Sequence, residues 1–220
     1  MNNSTSRTIV TVETFPLGPY ATNCYLVRVQ GSNACWIIDA SFDPQPLIDR
    51  IRSEKLAPEA IILTHAHVDH IAGLDELRAA FPGVPVLIHS DESHWLDDPM
   101  LNLSAAFGQP MTFAPAERTL AADQTLELAG APFRVLHTPG HSPGGITLHN
   151  AENGIALVGD TLFAGSVGRF DFPTSDEGAL VRSIRETLYA LPPETRVLPG
   201  HGPETTIGRE MRSNPFVRKD

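Results

Sequence analysis

One short stretch of the chain concentrates residues that could do chemistry together. Thr64 to His70 reads THAHVDH and places His65, His67, Asp69 and His70 close together in a chain with 9 histidines. His65 and His67 stand two apart, directly after the apolar run EAIILT. In an extended chain residues i and i+2 point to the same side, whereas on a helix they diverge by roughly 200°. This pair therefore converges on one ion only if the segment is extended or looped. Asp69 and His70 open the next helical pattern and can serve a second ion from the other side of the loop. Gly73 permits close backbone approach there. Imidazole with carboxylate suits zinc, iron or manganese. Two cysteines, without ligand-pair spacing, argue against a structural zinc knot. Surface histidines or a helix-capping aspartate would account for a lone HxH, but HxHxDH after a strand is far more specific.

Four ligands in one loop need partners from elsewhere, and the sequence offers them three times just after an apolar run. His141 follows FRVLHTPG, Asp160 follows GIALVG, and His201 follows TRVLPG. Each lies beside glycine, where backbone and ligand can approach closely. Five histidines and two aspartates then match two ions sharing one bridging carboxylate. His89, His94 and His149 lack ligand-like spacing, and His137 is expected to pack or to bond backbone.

The elements that must position these residues follow from periodicity. RTIVTVETF, NCYLVRVQ and ACWIIDA read as strands, and EAIILT as a short buried one. PQPLIDRIRSEKL and IAGLDELRAAF have helical spacing. VPVLIHS is a strand, SDESHWLDD a short helix started by Ser90, and residues 99–118 a loop or lid. Strands return in TLELAG, APFRVLHT, GITLHN and GIALVGD. SDEGALVRSIRETLYAL is the best helical pattern, with Ser175 as its expected N-cap and Asp176 and Glu177 suiting its positive end. TRVLPG is a last strand, and HGPETT leads into a short tail. No repeat or interdomain linker is visible. The expectation is a polar, flexible tail over residues 1–7 and a single α/β domain over 8–220, with mixed sheets and helices packed outside.

Composition is compatible with that plan. The 220 residues are 41% hydrophobic and 19% charged, which suits a globular chain. A net charge of −10 argues against nucleic-acid or anionic-membrane partners. MNNSTSRTIV lacks the apolar core of a signal peptide, and no apolar run approaches a membrane span, so a cytoplasmic location is expected. Cys24 and Cys35 sit in strand-like segments and read as buried free thiols.

HxHxDH followed by a downstream His, Asp and His resembles the metallo-β-lactamase superfamily. TPGHSPGG, GDTLFAGSVGRFDFP and LPGHGPETTIGRE further resemble its short, single-domain glyoxalase II-like (hydroxyacylglutathione hydrolase-like) group. The resemblance implies an αββα sandwich of two mixed β-sheets flanked by helices. It implies His65, His67 and His141 as one metal site and Asp69, His70 and His201 as the other, with Asp160 bridging them. Asp39, at the end of ACWIID, matches an aspartate that supports the metal loop. Two divalent ions are implied, zinc first, with iron or manganese admitted by the same ligands. Their bridging hydroxide would attack a small-molecule thioester, possible substrates including glutathione conjugates. Asp69, His70 and Asp160 are then the residues nearest the chemistry. No GxSxG elbow offers a serine nucleophile.

Arg169, nine residues after Asp160, could bind a substrate carboxylate bidentately, or could instead pair with Asp171. Phe170 and Phe172 could wall the same pocket or pack in the core. A persulfide dioxygenase of this fold would instead use one iron on His65, His141 and Asp160. A lactone or β-lactam hydrolase would use the same hydroxide, although a bridging Asp160 departs from the common β-lactamase subclasses. With 19 residues after His201, the stretch matches the short, single-domain group, and the C-terminal helical domain of full-length glyoxalase II enzymes is not expected.

Overall fold

Strand alternation sorts the apolar side chains into layers. Along β2 (Thr22–Val29), Tyr25, Val27 and Val29 join one buried cluster, while Cys24 and Leu26 join another. β3 (Ala34–Ile38) and β4 (Ala57–Ile62) divide the same way: Trp36, Ile38 and Ile62 face inward, and Cys35, Ile37 and Ile61 face outward. In a second sheet β10 (Ile155–Gly159) sends Ile155 and Leu157 into the shared inner layer, and Ala156 and Val158 to the far side. Strands buried on both faces require cover on both. The result is the expected αββα sandwich. The computed structural model describes residues 8–218, so the tail read for residues 1–7 lies outside the described part.

The first sheet has the order β1-β2-β3-β4-β5-β6, with β1 at Val10–Leu17, β5 at Val86–His89 and β6 at Arg118–Leu120. The second runs β14-β13-β10-β9-β8-β7, with β7 at Thr125–Leu128, β8 at Ala131–His137, β9 at Ile146–Asn150, β13 at Arg196–Pro199 and β14 at Thr205–Thr206. Both are mixed: β3, β4, β5 and β6 run parallel, as do β10 and β13, and the remaining pairs are antiparallel. Trp36 and Phe133 meet across the inner layer with ring centroids 5.2 Å apart. The outer face of the first sheet packs on α1 (Gln45–Ser53) and α3 (Leu74–Ala80) through Leu47, Ile51, Leu74 and Leu77. The outer face of the second packs on α4 (Glu177–Arg182) and α5 (Ile207–Ser213) through Leu180 and Ile207. A small hairpin, β11 (Leu162–Phe163) and β12 (Ser166–Val167), follows β10. Among the described residues no helix is long and apolar enough to cross a membrane.

Several local expectations change. The helix expected over IAGLDELRAAF is two: a single turn α2 (Val68–Ile71), then α3, with the break at Ala72-Gly73. A side chain at residue 73 would strike the Ser41 carbonyl, its Cβ 2.2 Å from that oxygen. The stretch begun by Ser90 is a 3-10 helix over Ser90–Asp97, capped by His89. Residues 99–117 form no regular element and are braced by Asn102, which donates to the carbonyls of Trp95 and Met111. The N-cap of α4 is Asp176, which accepts from the Ala179 amide at 2.9 Å. Ser175 instead donates to the His141 carbonyl at 2.7 Å, drawn to the neighbouring loop. Beyond α4 the helical path widens to a π turn over Ser183–Thr187 and then tightens to a 3-10 turn over Leu188–Ala190. The expected terminal tail holds α5, anchored by the wholly buried Glu210, which accepts from the Gly165 amide, the Thr205 hydroxyl and Asn214. Cys24 and Cys35 are buried free thiols.

Candidate metal centre

Every residue of the proposed cluster leaves the sheets at one edge. The chain passes from β4 into an extended segment that carries His65 and His67, the latter with φ −69° and ψ 146°. Extended backbone lets this i, i+2 pair face the same interior. α2 then supplies Asp69 and His70. The loop after β8 supplies His141, the end of β10 supplies Asp160, and the end of β13 supplies His201. A bridge between Thr22 and His201 closes the two sheets over the site.

The side chains converge in three groups whose ligand atoms lie within 4.8 Å of one another: His65, His67 and His141; Asp69, His70 and His201; and His65, His70 and Asp160. Asp160 stands between the first two. Its Oδ1 lies 3.4 Å from His70 Nε2, and its Oδ2 lies 3.6 Å from His141 Nε2 and 3.5 Å from His201 Nε2. Asp69 Oδ2 lies 3.1 Å from His201 Nε2 and 3.5 Å from His70 Nε2. A tetrahedral ion with bonds of about 2.1 Å spaces its ligands about 3.4 Å apart, so these separations suit a coordination shell.

The outer atoms of the rings fix what the inner atoms offer. His70 Nδ1 donates to Asp39 Oδ2 at 2.8 Å, His141 Nδ1 to the Arg169 carbonyl at 2.8 Å, and His201 Nδ1 to the Tyr20 carbonyl at 3.2 Å. Carboxylates and carbonyls only accept, so Nδ1 carries the proton and Nε2 is left facing the cluster. His65 Nε2, His70 Nε2 and Asp160 Oδ1 are buried there without a hydrogen-bond partner, as is His67 Nε2. His67 Nδ1 faces His141 Nε2 at 2.9 Å. Buried unpaired polar atoms are costly, and several aimed at one interior fit a cation.

Charge follows position. Burial, reinforced by His70 and the other imidazoles, drives His65 well below the usual histidine range. Burial and His141 do the same to His67. Both are therefore neutral donors of a lone pair. Burial also lowers His70, but Asp69, Asp160 and Asp39 outweigh it and hold His70 well above its ordinary value. Burial raises the carboxyls of Asp69 and Asp160, and the positive charge His70 carries when Nε2 is also protonated overcomes this and lowers them; a cation bound at Nε2 would take the place of that proton. The cluster thus holds its carboxylates ionised.

Supporting groups complete the picture. Asp39, in a left-handed conformation with φ 61°, accepts from the Thr64 amide at 2.7 Å and the Thr64 hydroxyl at 2.8 Å as well as from His70. This is the bracing expected of it. Thr22 donates to Asp69 at 3.0 Å. Asn23 donates to the carbonyls of Pro199 and Gly202, which flank His201. Glu92, fully buried, accepts from the amides of Ala66 and Gly144. Sequence reasoning missed Thr22, Asn23 and Glu92. Glu92 carried a signal: with Trp95 and Leu96 it forms an i, i+3, i+4 set, the spacing of a buried face. His137 Nε2 donates to the Pro143 carbonyl at 2.8 Å and its ring stacks on His89, so it bonds backbone as expected.

A cavity of 310 Å³ opens onto the cluster and is lined by Tyr20, Leu103, Phe107, Phe163, Phe172 and Arg169 together with His67, Asp69, His141, Asp160 and His201. Arg169 lies at its edge with both guanidinium bonds made to Asp171 at 2.9 Å, and its cation sits 4.4 Å from the Phe172 ring centre. Phe172 packs edge-on against His67 and His141. Phe170 lines a different pocket, beside α4 and Phe216.

Comparison with known proteins bears on this arrangement. A family profile described as the metallo-beta-lactamase superfamily matches residues 17–201. The hydroxyacylglutathione hydrolase GloC of Haemophilus influenzae is 36% identical over 94% of this chain and 97% of its own. Among solved structures, the BLEG-1 B3 metallo-beta-lactamase superposes with a TM-score of 0.89 at 41% identity, covering 94% of this chain and 99% of that one. TTHA1623, solved in a di-iron-bound form, gives 0.78 at 40% identity, covering 91% and 98%. The mixed αββα layers, the His/Asp cluster at the sheet edge and the family match agree, and the chain belongs to the metallo-β-lactamase superfamily.

Proposed function

We propose that the protein is a binuclear metallohydrolase that cleaves thioesters of the S-acylglutathione type. One observation carries this reading: buried, unpartnered ligand atoms from both sheets converge on a common interior, with Asp160 placed between the two histidine groups. His65, His67 and His141 would hold one ion and Asp69, His70 and His201 the other, with Asp160 shared. Ions held there would supply hydroxide near neutral pH and positive charge where negative charge develops on the substrate.

The chain's own groups do the rest. Asp39, Arg169 through its carbonyl, and Tyr20 through its carbonyl hold three imidazoles in one tautomer. Asp69 and Asp160 stay ionised, and Thr22 orients Asp69 by donating to it. Phe163, Phe172, Leu103 and Tyr20 wall the cavity and limit water around the scissile bond. Arg169 would bind a substrate carboxylate by exchanging it for Asp171. GloC's name supports a glutathione thioester, and the di-iron TTHA1623 supports iron as well as zinc.

The test is hydrolysis of S-D-lactoylglutathione by metal-loaded protein beside a chelator-treated control. Turnover abolished by chelation and restored by added metal is expected. No turnover by protein carrying two ions would sink the thioester assignment. The similarity to BLEG-1 makes a β-lactam the second substrate to assay.

A further inference from the structure

We propose that Glu92 is the positioning residue of one half of the metal centre: a single buried carboxylate that locks together the two loops bearing His65, His67 and His141. The inference rests on reading those three residues as ligands. Glu92 is 0% exposed on the 3-10 helix after β5. Its Oε2 accepts from the Ala66 amide at 2.6 Å, and Ala66 is the residue between His65 and His67. Its Oε1 accepts from the Gly144 amide at 2.6 Å, three residues beyond His141. Each oxygen therefore fixes the backbone of one ligand loop, one loop from each sheet. The amide of Ile146 bonds the Thr64 carbonyl at 2.9 Å and continues the same seam.

The other half of the centre has its own brace. Asp39 bonds Thr64 and His70, and Thr22 bonds Asp69. Among the described residues Glu92 bonds the Ala66 and Gly144 amides and not Asp69, His70 or His201, so its influence is confined to one ligand group. A carboxyl group suits the task because each oxygen keeps a lone pair for a peptide N–H, ionised or protonated. Glutamine would turn an NH₂ toward one of those donors, and alanine would leave two peptide N–H groups buried without an acceptor. Ligand orientation of this kind is worth about 10–100-fold in metal affinity where partners of ligands have been replaced.

The experiment titrates metal-free protein with Zn²⁺ against a chromophoric chelator. The unaltered chain should take two ions. Glu92→Gln should keep one at unchanged affinity and bind the other about 10–100-fold more weakly. Background variants identify which: Glu92→Gln should weaken the ion left in His201→Ala and leave unchanged the ion left in His141→Ala. Gly144→Ala approaches the same contact from the other side, since its Cβ would lie 2.9 Å from Glu92 Cγ. It should show the same selectivity and serves if Glu92→Gln fails to fold. Two ions at unchanged affinity in both variants, or equal weakening of both ions, would overturn the inference while leaving the two-ion reading intact. Fewer than two ions in the unaltered protein would overturn that reading, and this inference with it.

Discussion

Glu92 also makes a stability prediction at the scale of one residue. Burial pushes its carboxyl up to about 7 from an ordinary 4.5, against the opposing pull of Ser142, Gly144 and Ala66. Between those values the folded chain holds a proton that the unfolded chain releases. The contribution is complete below about 4.5 and is lost as pH rises through about 7. At 1.36 kcal/mol per unit the loss approaches about 3 kcal/mol. Unfolding of wild type and Glu92→Gln, compared from pH 4.5 to 8 in excess chelator, should show wild type losing stability relative to the variant as pH rises. Parallel profiles would show that Glu92 is ionised throughout. The candidate ligand histidines are legible in the sequence because their residue type and spacing are local. Their tautomers are not, because the acceptors on Nδ1 lie far away in the chain: Asp39 for His70, Arg169 for His141 and Tyr20 for His201.

At the scale of elements, the strand ends aim the candidate ligands and small residues let them meet. Gly200, just before His201, leaves room for the neighbouring strand's carboxylate. A Cβ there would lie 2.0 Å from Asp160 Oδ1 and 2.7 Å from His70 Cε1. Gly200→Ala should therefore displace Asp160, with overpacking costing about 1–3 kcal/mol. A shift of about 1 Å at reacting groups can cost on the order of 100-fold in rate. Thermal denaturation and kcat/KM of the variant check both, and unchanged values would show that the strand end yields freely. The strands and their alternation were readable from the sequence. The helix boundaries were less so. Ser175 and Asp176 are both good caps by residue type, and the choice fell to Asp176 because the His141 carbonyl takes the Ser175 hydroxyl. The terminal helix α5 was missed because its anchor, Glu210, is satisfied by Gly165, a residue of the β11–β12 hairpin.

At the scale of the whole molecule, the proposed ions join two sheets that otherwise meet through the inner apolar layer. His65, His67, Asp69 and His70 leave the first sheet, and His141, Asp160 and His201 leave the second. Anything bound to the folded chain alone stabilises it by mass action, about 2.7 kcal/mol for a site at one hundred times its Kd. Chelation should lower the melting temperature, and restored metal should return it. A melting temperature indifferent to chelator would mean that the sheets do not need the ions. The net charge of −10 extends to the cavity, which holds little positive charge of its own. Among the described residues Arg169 is the one Lys or Arg side chain that lines it, and Asp171 pairs with that charge.

The candidate ligands, their place just beyond apolar strands, the mixed α/β plan and the resemblance to the superfamily can all be read along the chain. These are local properties: residue chemistry, i, i+2 spacing and alternation are all written along the chain. Tertiary structure decided which imidazole nitrogen faces inward, which carboxylates brace which loops, and where Arg169 spends its charge. Those depend on contacts such as Ala66 with Glu92, Asp39 with His70 and Tyr20 with His201, separated by 26, 31 and 181 residues. No periodicity in the sequence encodes such pairs. They form only when two sheets stack and bring their strand ends to one edge.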